Sequence, residues 1–186
     1  MKNKFIEIYN ANIKREGADK LLEWLLSTDF FIAPASTKFH GSHASGLVEH
    51  SINVYERLCK SVADATDETK AIVSLLHDLC KNNYYKIEMR NSKNEITGQW
   101  EKVPYYTVEN KLPYGHGEKS VYIISGFMRL TREESMAIRW HMGGFDDSVR
   151  GGCYDLGLAF EQYPLALHTH IADMQATYLD EKEVKI

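Results

Sequence analysis

A chain of 186 residues with 26 acidic against 22 basic side chains, a formal charge of −4, lacks the basic field of a general nucleic-acid binder. At 44% hydrophobic and 26% charged it reads as one ordinary domain, which at this length buries about 70% of its unfolded surface and needs no disulfide or structural metal. No run approaches the roughly 20 apolar residues of a membrane span and no signal-peptide core opens the chain, so a cytoplasmic setting is expected.

Residues 2–14 carry Phe5, Ile6, Ile8, Tyr9 and Ile13 on an irregular helical face. Gly17 separates them from a second helix over 18–27, with Leu21, Leu22, Trp24, Leu25 and Leu26. Residues 29–46, with Pro34, two glycines and several Ser and Thr, read as a loop. From 47 to 63, Leu47, His50, Val54 and Leu58 recur at helical spacing, which sets His50 on an apolar stripe. The stretch 68–80 repeats this with Val73, Leu76, His77 and Cys80, so His77 faces inward too. Cys59, Cys80 and Cys153 share no C-x-x-C spacing; the two in helical patterns read as small buried apolar residues.

The rhythm then changes. Residues 84–90 and 99–108 are aromatic and β-branched, with polar 91–98 between them, which predicts a β-hairpin inserted at about 84–109. Two helices follow between 117 and 140, the second begun by the capping box T-R-E-E at 131–134. Gly143-Gly144 and Gly151-Gly152 punctuate loops. Over 164–180, Pro164 suits a first turn, and Ala166, His170, Asp173 and Thr177 share one face. The expected architecture is a single all-α domain: N-terminal helices over 1–28, a core over 39–181, and the small hairpin.

A buried Asp carries a large desolvation cost unless it is paired or binds a cation. Neutral imidazoles and carboxylates gathered around a divalent ion answer that cost together. Three helices offer such groups: His50 in G-L-V-E-H-S, His77-Asp78 in L-L-H-D-L-C-K, and Asp173 in H-I-A-D-M. No G-x-x-x-x-G-K-[ST], G-x-G-x-x-G or G-x-S-x-G site competes with them.

In that order these residues resemble the H…HD…D pattern of the HD-domain superfamily of metal-dependent phosphohydrolases, over about residues 39–181. Many two-metal members add two histidines before the last Asp, and His116 in Y-G-H-G-E-K-S and His141 in R-W-H-M-G-G stand there. The segment F-H-G-S-H-A-S-G-L-V-E-H is also similar to the approach to the first ligand in HD-type 3′-to-5′ exoribonucleases and small phage-type HD hydrolases. One departure stands out: Cys80 occupies the position where H-D-x-G-K often has glycine, while Lys81 is retained.

The resemblance implies an HD-domain helical bundle holding one or two divalent ions (Fe, Mn, Ni, Co or Zn, with Mg admissible). The ligands would be His50, His77, Asp78, His116, His141 and Asp173, with Asp78 bridging and Lys81 on the phosphate. A metal-activated hydroxide would then cleave a phosphoric mono- or diester of a nucleotide or short oligonucleotide. Lys119, Arg139, His40 and Tyr85 are further candidates for substrate contact, and His170 for support beside Asp173. The aromatic hairpin, with Tyr84, Tyr85, Trp100, Tyr105 and Tyr106, forms a base-stacking lid, a core cover or a dimer contact. The expected partner is a small phosphorylated molecule, not a membrane or a nucleic-acid duplex, and self-association is compatible. Two other readings stay open: a di-iron oxygenase using the same six ligands, and a nucleotide-binding module without turnover.

Overall fold

Helices dominate the computed structural model, which describes residues 1–181, and one two-stranded antiparallel sheet interrupts them. Helix α1 (Lys2–Asn12) and α2 (Ala18–Leu26) turn their apolar faces onto the core. Phe5 packs edge-on against Phe30 and Phe31, with ring centroids 5.2 and 5.4 Å apart, and the buried Tyr9 hydroxyl donates to the Ala18 carbonyl. Between these helices, Arg15 reaches across the fold to the fully buried Glu134 at 2.8 Å, which ties the N-terminal pair to the rest of the domain.

Helices α3 (Gly46–Ser61) and α4 (Asp67–Leu76) form the centre. Leu47, Ile52 and Leu58 interlock there with Ile72, Leu75 and Leu76, all within 1% of complete burial. Each such side chain stabilises the fold by about 1.5–3 kcal/mol. The Thr66 side chain caps α4 by accepting from the Thr69 N–H. Helices α5 (His116–Ser125), α6 (Arg132–Arg139) and α9 (Pro164–Gln175) close around this pair, α9 lying against both α3 and α6. The Thr131–Glu134 capping box starts α6.

Three helical stretches differ from the sequence expectation. The helix expected over 68–80 stops at Leu76, and a 3-10 turn over Leu79–Lys81 follows. The cause is tertiary: the Cys80 N–H donates to the Ser120 hydroxyl at 2.9 Å instead of to an α4 carbonyl. The helix expected over 164–180 is regular only to Gln175 and continues as a π-helical turn, Ala176–Asp180. The glycine-punctuated stretch before it holds α7 (Asp147–Arg150) and α8 (Asp155–Gln162), neither of which was expected.

The hairpin is longer than its aromatic runs. Strands β1 (Tyr85–Lys93) and β2 (Trp100–Val108) pair from Tyr85 opposite Val108 to Lys93 opposite Trp100. The polar residues Asn91 to Lys93 join the ladder because the turn closes tightly: Asn94 accepts from the N–H groups of Ile96 and Thr97. Its base is tucked in at Tyr85, while Ile87, Met89 and Trp100 are exposed. Among the described residues no helix is long and apolar enough to cross a membrane.

Candidate metal centre

Five elements end on one buried point. His50 comes from the first turns of α3, His77 and Asp78 from the exit of α4, and His116 from the first residue of α5. His141 follows α6, and Asp173 lies on α9. Gly117 makes the α5–α6 junction possible, since a Cβ there would overlap the Arg139 carbonyl oxygen. That close approach brings the His116 and His141 rings to 5.1 Å.

Asp78 is the hub. Its Oδ1 lies 2.9 Å from His116 Nε2 and 3.5 Å from His141 Nε2. Its Oδ2 lies 2.6 Å from Lys81 Nζ, 3.5 Å from His77 Nε2 and 3.8 Å from His50 Nε2. On the far side, His50 Nε2 meets Asp173 Oδ1 at 3.2 Å and His77 Nε2 at 3.2 Å. His50, His77, Asp78, His141 and Asp173 are all at most 9% exposed.

The outward ring nitrogens fix which inward ones are free. His77 Nδ1 donates to the Ser74 carbonyl at 2.7 Å and His141 Nδ1 to the Ile138 carbonyl at 2.6 Å. His50 Nδ1 donates to the Glu181 carboxylate at 3.0 Å. With each Nδ1 engaged by an oxygen, the Nε2 atoms point inward, the arrangement that orients histidine ligands. His141 Nε2 is buried and has no hydrogen-bond partner among the described residues. Leaving such an atom unpaired costs about 1–3 kcal/mol, which a cation would offset.

The electrostatics divide the histidines. Burial disfavours charge on His50, yet its bonds to Asp173 and Glu181 outweigh that and lift it to about 10. His77, beside it, is driven down to about 3 by burial and by the positive charge of its neighbour His50. His116 rises to about 10, burial being outweighed by Cys80 and Asp78. Against their own burial, Asp78 is held well below the usual carboxylate range by Lys81 and His77, and Asp173 by His50.

Among the described residues, four triads each lie within 4.8 Å internally and could hold a metal ion: His50-His77-Asp173, His77-Asp78-His141, Asp78-Cys80-His116 and His40-His50-Glu181. The donor chemistry fits: oriented imidazoles and carboxylates suit a divalent transition ion, which would displace the protons on His50 and His116.

No family model, curated protein or solved structure matches the chain. The site therefore stands on its own geometry.

The other expected residues lie at varied places. Lys81 is at the cluster, ion-paired to Asp78, which raises its amine above the ordinary lysine range despite burial. Tyr85 donates to the Ala35 carbonyl at 3.1 Å, and its phenol is pushed up by burial. The His40 ring lies tilted 4.9 Å from that of His50, its Nε2 buried and without a partner among the described residues, and burial drives it down to about 4. Lys119 instead donates to Asn110 and sits 4.6 Å over the Tyr84 ring. Arg139 is engaged by Glu118, Asp146 and Ser148 and stacks on Trp140. His170 was expected beside Asp173; its Nδ1 donates to the His141 carbonyl at 2.7 Å, so it braces a different ligand.

Two residues at the site escaped the sequence reading. Glu181 follows the π-helical turn and grips His50, with Asn53 donating to the same carboxylate at 3.0 Å. Cys80, read as a small apolar residue, is buried but has its sulfur 3.4 Å from His116 Nδ1. The H-D-x-C departure was its only signal in the sequence.

Proposed function

We propose that this chain is a metal-dependent phosphohydrolase of the HD type, hydrolysing a phosphoric mono- or diester of a nucleotide or short oligonucleotide in the cytoplasm. The observation that carries this reading is the convergence of His50, His77, Asp78, His116, His141 and Asp173, in that chain order, on a buried cluster beside Lys81. The helical architecture with its small hairpin agrees with an HD-domain bundle.

Bound there, one or two divalent ions supply Lewis acidity and an activated water for attack on phosphorus. Asp78 offers one oxygen toward His116 and the other toward His77 and His50, so it would help to hold an ion with either set. Lys81 neutralises Asp78, and with a cation on that carboxylate its amine would be free to meet a phosphate oxygen. The Glu181, Ser74 and Ile138 oxygens hold three imidazoles in their ligand tautomers. His40, with its free buried nitrogen, lies ready to meet a polar substrate group.

The test is metal analysis of the purified protein, then a screen of nucleotides and a chromogenic phosphodiester with Mn²⁺, Fe²⁺, Co²⁺ and Ni²⁺. Turnover with at least one ion is expected, and His77→Ala or Asp78→Ala should abolish both metal and activity. No turnover with any ion at measured occupancy would remove the proposal.

A further inference from the structure

The His116 end of the cluster differs in chemistry from the His50 end, because a sulfur stands there. Cys80 is 3% exposed and pinned by the bond from its own N–H to Ser120. Its Sγ lies 3.4 and 3.6 Å from the two nitrogens of His116 and 4.0 Å from Asp78 Oδ1. His116 Nε2 and Asp78 Oδ1 are themselves 2.9 Å apart. Ligands sharing one tetrahedral ion, at about 2.3 Å for sulfur and about 2.0–2.2 Å for nitrogen or oxygen, lie about 3.3–3.6 Å from one another. The edges found here bracket that spacing. The Nε2 of the fully buried His141, without a hydrogen-bond partner among the described residues, lies 3.5 Å from the same Asp78 oxygen, in the adjoining His77-Asp78-His141 triad.

We propose that Cys80 is a metal ligand, so that this end of the centre is a thiolate-imidazole-carboxylate site for a borderline or soft divalent ion such as zinc, cobalt or iron(II). The proposal rests on the metal-dependent reading above and deepens it. A thiolate at Cys80 discriminates against magnesium, which prefers six oxygen ligands in near-ideal octahedral geometry. The thiol proton leaves to solvent as the sulfur–metal bond forms, so no oxidant or reductant is involved. The alternative is a weak S–H hydrogen bond to His116, with no sulfur–metal bond at all.

Cobalt(II) separates the two, because a thiolate ligand gives an intense near-ultraviolet sulfur-to-cobalt charge-transfer band. Full-length wild type, Cys59→Ser/Cys153→Ser, Cys80→Ser and Cys80→Ala are titrated with Co²⁺, with bound metal counted by elemental analysis and folding checked by circular dichroism. Cys59 and Cys153 are only half-buried and belong to none of the metal-binding triads among the described residues, so the double variant isolates the Cys80 signal. The band is expected in wild type and in the double variant and lost in both Cys80 variants. Zinc affinity at this end should fall about 100-fold in them. Cobalt bound by wild type without the band, or a band that survives Cys80→Ser, overturns the thiolate and leaves the phosphohydrolase reading standing. A wild-type protein that binds neither cobalt nor any other of the ions screened above overturns both.

Discussion

Removing the metal and varying pH probes the His50 end directly. Any ion entering there must displace the proton on His50, which Asp173 and Glu181 hold to about 10 against the cost of burial. At pH 7 only about one molecule in 1,000 has a neutral His50, so the apparent affinity stands about 1,000-fold below its intrinsic value. That is about 4 kcal/mol, recovered at about tenfold per pH unit up to about pH 10. Asp173, held below the usual carboxylate range, and His77, driven to about 3, have no proton to release in this window. Stability runs the other way. A histidine whose folded value is raised above about 6.5 stabilises the fold fully below that pH, and the contribution is lost as pH rises toward about 10. The gap in melting temperature between stripped and metal-loaded protein should therefore widen from pH 7 to 9. Calorimetry on a His116→Ala/Cys80→Ser protein, which confines the ion to this end, in two buffers of different ionisation enthalpy counts the protons. About one should be released per ion at pH 7 to 8. An affinity that is flat from pH 6 to 9, or binding without proton release, refutes the reasoning.

Two substitutions test the scaffold around the ions. Lys81→Met removes the amine 2.6 Å from Asp78. The stripped protein should lose about 1–3 kcal/mol in chemical denaturation, while metal binds more tightly because a competing cation is gone, and turnover falls with the site full. Gly117→Ala places a Cβ onto the Arg139 carbonyl and pushes α5 away from α6. It should cost about 1–3 kcal/mol and at least about tenfold in metal affinity, measured against a chromophoric chelator.

Much of the helical framework is legible from periodicity, because α2, α3 and α4 each bury a continuous apolar face. The departures have local physical causes. A hydroxyl on another helix, Ser120, takes the N–H that would have carried α4 through Cys80. Asn94 tightens the hairpin turn, so polar residues become strand. Helices α7 and α8 are four and eight residues long and lie among glycines, too short for a periodic signal. The same logic governs the site. His50, His77 and Asp173 announce themselves as polar groups on buried faces. Glu181 lies beyond the last periodic residue and reaches His50 only because the backbone there widens into a π turn, which no side-chain spacing foretells. His170 shares a face with Asp173, but Gly143, at φ +53, lets the chain after His141 lie against its ring, and its bond goes to that chain.

Charge balance links these observations. With two divalent ions at the cluster, their four positive charges and the Lys81 amine would face the carboxylates of Asp78, Asp173 and Glu181, a surplus of two. Each uncompensated buried charge costs several kcal/mol. A Cys80 thiolate, as proposed above, would cut that surplus to one, which an anionic phosphate would meet together with Lys81. A thiolate beside His116 would thus let two ions and a lysine share one small buried volume before substrate arrives.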